Sequence, residues 1–226
     1  MALSKRRNKM PSDPARTSNI VIAVDGPAAS GKGTIARALA KHFDLPHMDT
    51  GLLYRAVALN LWRWGGDAGS EFEALRASGD LGFDPEDAEL RSEPISKIAS
   101  RVSAYPSVRA ALLERQRQFA GQLGGAVLDG RDIGTVIAPD ATVKLFVTAS
   151  PEVRAQRRVR ELMSRGMPAH YDDVLIDIRA RDERDSSRDA APLVQAADAI
   201  LLDTSDLDID AAIAAAIQIV EERLRK

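Results

Sequence analysis

The stretch IVIAVDGPAASGKGT, residues 20–34, decides the fold of this chain. It opens with five apolar residues, Ile20–Val24, and an apolar run of this length before a glycine-rich turn predicts a short buried strand. After the turn, Ile35 and Leu39 begin an apolar series with a four-residue spacing, which predicts one face of a helix over 32–43. The order strand, glycine turn, helix predicts an α/β fold.

The turn itself has the spacing of a phosphate-binding loop, G-x-x-x-x-G-K, from Gly26 to Lys32. Small residues let backbone N–H groups point inward around a phosphate, and the following helix adds the positive end of its dipole. The ammonium of Lys32 can reach the β- and γ-phosphates. An ordinary glycine turn is disfavoured, because the whole motif matches and stands between a predicted strand and a predicted helix. The predicted ATP-binding residues of the loop are Gly26, Pro27, Ala28, Ala29, Ser30, Gly31, Lys32, Gly33 and Thr34.

The residue after the lysine departs from the usual pattern of such loops. A Ser or Thr that touches Mg²⁺ normally stands there, but this chain has Gly33, with Thr34 one position later. We therefore expect Mg²⁺ to be held mainly by phosphates and water, and we predict no side-chain metal ligand. A GTPase-type switch, which depends on that hydroxyl, is disfavoured for the same reason.

The remaining chain alternates short apolar runs with amphipathic segments, which predicts a parallel sheet flanked by helices. A loop-rich insertion is expected over 65–93, with one helical piece near 71–78. Leu123 is expected on the apolar stripe of the helix from Pro106, and Ile209 on that of the last helix. Further strands are predicted at 126–128, 143–147 and 199–202, and further helices at 51–64, 95–104 and 172–186 and from Ser150.

Composition excludes several classes of protein. The 226 residues include no cysteine, which excludes a disulfide scaffold, a Cys-ligated zinc site and a cysteine nucleophile. The net charge of −2 and the 4% of aromatic residues disfavour a nucleic-acid partner. No apolar run approaches the ~18 residues of a membrane span, so we expect no membrane partner. Because the sequence shows no export signal and no cysteine, we expect a cytoplasmic location.

Positive charge is concentrated at the start of the chain. Residues 1–18 carry five Lys or Arg against Asp13 alone, a net charge of +4. The segment contains two prolines and no apolar core of a signal peptide, which predicts a disordered basic tail before a folded domain over 19–226. A nucleic-acid or membrane arm is the alternative.

Three charged segments are candidates for the second half of the site. Asp49–Arg55 occupies the second strand-to-helix turn and Asp129–Gly134 follows a predicted strand, so both open at the sheet edge where ligands bind. An ordinary turn is the alternative for 129–134. In the third segment, Arg181–Arg188, Arg181 and Asp185 also have the spacing of a solvated ion pair, which is the alternative to a site role.

Together these segments resemble the bacterial cytidylate kinase family of nucleoside-monophosphate kinases, over about residues 20–225. The resemblance implies a P-loop NTPase-type sheet, a monophosphate-binding insertion over about 50–105 and a lid over about 152–171. It also implies phosphoryl transfer from ATP to CMP or dCMP, giving ADP and CDP or dCDP. The motifs that carry it are IAVDGPAASGKGT at 22–34, DTGLLYRAVAL at 49–59, VSAYPSVRAALLERQR at 102–117, LDGRDIGTVIAPDA at 128–141 and RDERDSSRDAAPLVQAADA at 181–199.

The resemblance also assigns roles to individual residues. Arg55 and Arg131 would hold the acceptor phosphate, since arginine forks match phosphate oxygens. In the pyrimidine pocket, Asp132 can accept from the cytosine amino group, and Arg109 can donate to its acceptor edge. Thr50 and Arg188 would complete that pocket, and Ser100, Arg181 and Asp185 would face the sugar. The predicted CMP-binding residues are Asp49, Thr50, Tyr54, Arg55, Ser100, Arg109, Asp129, Arg131, Asp132, Arg181, Asp185 and Arg188, the catalytic residues are Lys32, Arg131 and Arg181, and Arg157 and Arg158 complete the ATP site.

The implied acceptor needs no general base, because the second pKa of a phosphate monoester is about 6 and the group is already anionic near pH 7. Catalysis then reduces to alignment, charge neutralisation and exclusion of water. The arginine-rich segment Glu152–Arg165 is expected to close as a lid over the transferring phosphate, with a solvated basic face as the alternative. The insertion at about 66–93 is shorter than is typical of the family, which normally has a small sheet there.

Two other functions stay open at this point. The first is another small-molecule P-loop kinase, acting on shikimate, a sugar acid or a different monophosphate. The second is a nucleotide-dependent switch without catalysis. The pairing of Asp132 with Arg109 favours a pyrimidine substrate. We expect small nucleotides as the partners and a monomer as the working form, because no long apolar surface stripe is left unexplained.

Overall fold

A parallel sheet forms the centre of the structure, a computed structural model that describes residues 19–225. The basic tail predicted at 1–18 lies outside the described residues. Within them the sheet has five strands in the order β2-β3-β1-β4-β5, all parallel. The strands are β1 Ile20–Asp25, β2 His47–Asp49, β3 Gly125–Gly130, β4 Val143–Thr148 and β5 Ile200–Asp203.

Eight α-helices occur between residues 19 and 225. The same residues also form two short turns of other helical types, a 3₁₀ turn at Ala88–Arg91 and a π-helical turn at Ile133–Ile137. The sequence patterns predicted neither turn. The helices are α1 Lys32–Phe43, α2 Thr50–Arg63, α3 Glu71–Ala77, α4 Glu93–Val102, α5 Pro106–Ala120, α6 Pro151–Ser164, α7 Tyr171–Ser187 and α8 Ile209–Leu224.

The two faces of the sheet are buried in separate clusters, as the two-residue period of a strand requires. Ile22 and Val24 of β1 pack with α1 and α8 on one face. Ala23, between them, packs on the other face against α5 and the π-helical turn. The predicted parallel sheet flanked by helices is therefore confirmed.

A third cluster lies beside the sheet and is built mainly from helices. It joins α2 to α3, α4 and the start of α5 through fully buried side chains such as Leu61, Leu90 and Ile95. The described structure of 66–93 contains α3 and the 3₁₀ turn but no strand. We propose that this helical unit, over about 50–105, is the acceptor-binding insertion.

Two of the predicted apolar stripes each include one residue that is exposed in the structure. Leu123 is 95% exposed because α5 ends at Ala120, before the stripe reaches it. Ile209 is 68% exposed because it is the first residue of α8 and precedes the turn that packs on the sheet. The start of α6 follows the prediction, since the hydroxyl of Ser150 accepts a hydrogen bond from the N–H of Val153.

Candidate active site

A cleft of about 500 Å³ opens at the carboxyl ends of β1, β2 and β3. Its walls are the phosphate loop, the turn after β3, and the facing sides of α2, α4, α6 and α7. Ten Lys or Arg side chains line it against seven Asp or Glu, a net charge of +3 in a chain whose net charge is −2. The cleft is therefore suited to polyanionic ligands.

The phosphate loop requires glycine at its first and sixth positions. Gly26 has φ +153°, and a side chain there would meet the carbonyl oxygen of Val147 at 1.9 Å. Gly31 has φ +91° and gives way to α1 at Lys32. Both positions are left-handed in φ, where other residues are strained. The loop therefore ends at a helix N-terminus, which is a site for phosphate.

Lys32 lies half-buried in the cleft among charges of both signs. Burial and the guanidinium of Arg131 lower the pKa of Lys32 to about 8, against the opposing effect of Asp129 and Asp49. The lowered pKa means that the surroundings of Lys32 do not fully stabilise its charged form. A bound phosphate would add negative charge beside the ammonium and stabilise that form.

Three arginines converge on the centre of the cleft from three elements. Arg55 of α2 donates to the carbonyl of Leu90 at 2.8 Å and to the hydroxyl of Ser96 at 3.1 Å, and Arg181 of α7 donates to the same hydroxyl at 3.4 Å. Arg131 lies in the turn after β3 and lowers the pKa of both. Burial is the larger cause, and the two pKa values fall to about 10 for Arg55 and about 9 for Arg181.

Asp185 holds this group of arginines together. The Nε of Arg131 donates to its carboxylate at 2.8 Å, and the Nε of Arg181 lies 3.9 Å from it. Burial raises the pKa of Asp185, but the two guanidinium groups outweigh burial and hold the pKa below its usual value. Asp185 is 3% exposed, so Arg181 and Asp185 do not form the solvated surface pair considered as an alternative.

A second polar group is centred on Arg109 of α5. Arg109 pairs with the buried carboxylate of Asp132, and its guanidinium lies 5.7 Å from the centre of the Tyr54 ring. Buried polar atoms without a hydrogen-bond partner surround this pair, namely the Tyr54 hydroxyl, the Ser100 hydroxyl and Nη2 of Arg188. Buried polar groups are normally paired, so these atoms indicate a place that a polar ligand completes.

Only one arginine of the predicted lid segment lines the cleft in the described structure. Arg158 of α6 does so, paired with Glu93 of α4 and with Glu161 at 2.6 Å. Arg154 instead forms a two-pronged ion pair with Asp182 of α7, at 2.9 and 2.6 Å. The other three lie away from the cleft, with Arg165 bound to Glu161, Arg160 exposed, and Arg157 bound to Thr204 and to the carbonyl of Leu207.

The structure brings most of the predicted residues together. Every predicted CMP-binding residue lines the cleft, although the hydroxyl of Thr50 is already used in a 2.9 Å bond to the carbonyl of Asp129. Arg157 does not line it, and its Nη1 approaches the phosphate loop from outside, 3.4 Å from the carbonyl of Ser30. The cleft-lining members of the predicted ATP set are Ala28, Ala29, Lys32, Gly33 and Arg158.

Sequence reasoning missed three polar residues of the site. Ser96 bridges two arginines, the Nε2–H of His47 donates to the carboxylate of Asp129 at 2.7 Å, and Asp25 binds the turn after β3. Two of them had a signal in their position: Asp25 ends strand β1, and His47 lies in the short strand β2. Ser96 lies on an amphipathic helix and carries no motif.

Two absences apply to the described part of the chain. Between residues 19 and 225 no three His, Asp or Glu side chains cluster as a ready-made metal site. Over the same residues no helix has the length and apolar character needed to cross a bilayer.

The family profile and the sequence relatives agree on one family. The profile described as cytidylate kinase matches residues 22–222. A cytidylate kinase of Xanthobacter autotrophicus is 61% identical over 90% of this chain and 98% of its own length, and one of Methylocella silvestris is 59% identical over 89% and 94%. A solved structure of an uncharacterized protein from Eubacterium ventriosum shares the fold, with a TM-score of 0.55 at 14% identity over 92% of this chain and 100% of that one.

Proposed function

This chain belongs to the cytidylate kinase family, and from that premise we propose that it transfers the γ-phosphoryl group of ATP to the 5′-phosphate of CMP or dCMP in the arginine-lined cleft. The observation that carries the site assignment is the convergence of Arg55, Arg131 and Arg181 opposite Lys32. Those four cations face one another with fewer carboxylates than they need, and two phosphorylated substrates supply the missing negative charge.

The two substrates occupy opposite ends of the cleft in this proposal. The phosphate loop and Lys32 hold the phosphates of ATP, and Arg158 reaches them from α6. Arg55 and Arg131 hold the phosphate of CMP, so the attacking oxygen faces the γ-phosphorus. Alignment of this kind supplies most of the catalysis, because the acceptor phosphate is ionised near neutral pH.

The base of CMP enters the group beside α5. Asp132 accepts from the cytosine amino group, and Arg109, which it orients, donates to the acceptor edge. The hydroxyls of Ser100 and Tyr54 and the free Nη2 of Arg188 gain partners when the nucleoside binds. Ser100, Arg181 and Asp185 face the sugar in this proposal.

Mg²⁺ fits the residues next to the phosphate loop. Gly33 offers no hydroxyl, but a carboxylate oxygen of Asp129 lies 3.6 Å from the place of a Cβ at residue 33. We propose that Asp129, supported by His47, holds water of the hydrated ion, whose other ligands are phosphate oxygens. When bound, the ion would neutralise charge on the phosphates.

The helix α6 is the proposed lid, over about 152–171. It contacts the acceptor insertion through the ion pair of Arg158 with Glu93 and through Arg165, which donates to the carbonyl of Arg91 at 3.4 Å. The neighbouring α7 contacts the insertion through Asp177 and Lys97 at 3.0 Å. Nucleotide phosphates compete with Glu93 for Arg158. Closure then keeps water from accepting the phosphoryl group.

The proposed working form is a cytoplasmic monomer whose partners are small nucleotides. The low net charge supports the absence of a nucleic-acid partner. Size-exclusion chromatography with light scattering tests the monomer, with 24.4 kDa as the expected mass.

A coupled assay of ADP release across CMP, dCMP, UMP, AMP and shikimate tests the function. We expect turnover with CMP and dCMP and little with AMP or shikimate. Fast turnover with AMP and none with CMP would place the chain with another substrate. Tight ATP binding without acceptor-dependent turnover would instead indicate a switch.

A further inference from the structure

A buried carboxylate joins the two halves of the cleft. Asp25 is the last residue of β1, directly before the phosphate loop, and it is 5% exposed. One carboxylate oxygen accepts a 2.8 Å hydrogen bond from the N–H of Ile133, and the other accepts one of 2.8 Å from Gly134. These N–H groups follow directly after Arg131 and Asp132, the proposed CMP-binding pair of this turn.

The π-helical turn cannot satisfy these two donors itself. Its internal hydrogen bonds begin further along, where Val136 donates to the carbonyl of Asp132 at 2.9 Å. The first N–H groups of any helical turn lack a partner within the turn, and a carboxylate that accepts two of them forms charge-assisted bonds. Without Asp25, two buried donors in this turn would have no partner in the described structure.

The backbone at Gly134 is fitted closely to its surroundings. A Cβ at this position would come within 3.0 Å of Cδ of Lys144 on β4 and 3.4 Å of the carboxylate of Asp25. The turn therefore packs against Asp25 at the end of β1 and against the side chain of Lys144 near the start of β4. Its position, and the direction of the side chains just before it, depend on that contact.

We propose that Asp25 is a positioning residue for CMP: by holding the N–H groups of Ile133 and Gly134 it fixes the direction in which Arg131 and Asp132 point. Since Asp25 is followed by Gly26, the same residue ties the acceptor turn to the strand that leads into the phosphate loop. The proposal rests on the proposed function, because it is for CMP that Arg131 and Asp132 are aimed.

The charge of Asp25 is consistent with this role. Burial raises the pKa of Asp25 to about 6, while the two backbone N–H groups oppose the rise. Asp132 also raises this pKa and Arg131 lowers it, and Lys144 is the cation that contacts the turn from β4. At pH 8 the carboxylate is ionised and accepts both bonds.

Asp25→Asn provides the first test, because it keeps the size of the side chain and replaces one accepting oxygen with an amide donor that faces an N–H. Initial rates at pH 8 are measured with CMP and ATP varied in turn, and ATP affinity is measured by calorimetry without CMP. We expect kcat/KM for CMP to fall at least tenfold, equivalent to about 1.4 kcal/mol. The dissociation constant of ATP should stay within a factor of three.

Val220→Ala is the matched control for lost stability. Val220 is fully buried on α8, in the cluster on the opposite face of the sheet, so its truncation lowers Tm without touching the turn. The proposal expects KM for CMP to be unchanged in this variant. It is overturned if kcat/KM for CMP is unchanged in Asp25→Asn, if ATP and CMP are affected equally, or if Val220→Ala reproduces the same effect.

A second measurement on the wild-type protein covers the case in which Asp25→Asn does not fold. The backbone amide signals of Ile133 and Gly134 and the Nε signal of Arg131 are followed by NMR from pH 8 to pH 5. The proposal expects all three to move with one midpoint. An Arg131 signal that stays fixed while both amides move overturns it. CMP turnover by the wild type is measured separately, so failure of the proposed function is distinguishable.

Discussion

Arg131→Ala is the variant that tests the cleft most directly, because Arg131 sits between the acceptor site and Asp185. Loss of one positioned donor to a developing charge typically costs a factor of 10²–10³ in rate. Arg131 contributes both a full charge and a fork, so we expect kcat/KM for CMP to fall by about 10³, or about 4 kcal/mol. The fold should survive this change.

The same change has a stability cost that can be worked from the structure. Removing one partner of a buried ion pair typically costs about 3–5 kcal/mol. Here Arg181 stays 3.9 Å from Asp185, and its repulsion with Arg131 disappears. We therefore expect a smaller loss, about 1–2 kcal/mol in the free energy of unfolding.

The double variant Arg131→Ala, Asp185→Asn separates these two effects. The single variant leaves the Asp185 carboxylate without Arg131, its main partner, and the second substitution removes that carboxylate. Urea unfolding should therefore show recovered stability, while kcat/KM for CMP stays low. Arg179→Ala is the control for the loss of an arginine. Arg179 lies exposed on α7, the helix that carries Asp185, and pairs with Glu152 outside the cleft. Activity that returns together with stability in the double variant refutes a direct role of Arg131.

Three other predictions concern single residues of the cleft. The pKa of Lys32 is lowered to about 8, so its ammonium is lost as pH rises through that value. We therefore expect kcat/KM for ATP to fall about tenfold per pH unit above pH 8. A Lys32→Arg variant with the same fall above pH 8 contradicts this. Gly33→Ser restores a hydroxyl beside Asp129, where a Cβ has room at 3.6 Å. It should lower the Mg²⁺ concentration for half-maximal activity about fivefold, the value of one hydrogen bond, whereas an unchanged Mg²⁺ titration indicates that phosphates and water alone hold the ion. Asp132→Asn should move the CMP/UMP ratio of kcat/KM about 10–100-fold toward UMP, because an amide can donate to the uracil oxygen; a parallel loss for both nucleotides would remove Asp132 from base recognition.

The central part of the fold could be predicted from sequence because its signals are local. The glycines of the phosphate loop and the four-residue spacing after Lys32 each describe a few consecutive residues, and the bounds of α1 match the prediction. Arg55 and Arg131 could be identified because they lie in motifs that follow strands, whereas Arg109 and Arg181 lie on helices and were assigned through the family resemblance. The two overlong stripes, at Leu123 and Ile209, show the limit of periodicity, since a pattern can continue past the last turn that packs.

The contacts that could not be predicted join residues far apart in the chain. Asp25 and Ile133 are 108 positions apart, and His47 and Asp129 are 82 apart. Neither pair has a spacing that a sequence pattern can register, because each depends on strands β1, β2 and β3 lying side by side. The same holds for the proposed lid, whose five arginines are equivalent in the sequence pattern. In the structure, α7 and residues 204–207 bind two of them away from the cleft.

Those external contacts explain how an acidic chain maintains a positive cleft. Arg154 and Arg157 are held by partners outside the cleft, and in this way their charge is neutralised or directed to backbone carbonyls. Arg55 and Arg181 are compensated less well. Arg55 donates to the neutral Leu90 carbonyl and Ser96 hydroxyl, and Arg181 lies 3.9 Å from a carboxylate that Arg131 already binds. Burial, together with Arg131, lowers the pKa of both. The repulsion between these guanidinium groups destabilises the protein without substrate, and bound phosphate relieves it. Because the repulsion lies in the ground state of the free protein, substrate binding both neutralises the site and stabilises the fold.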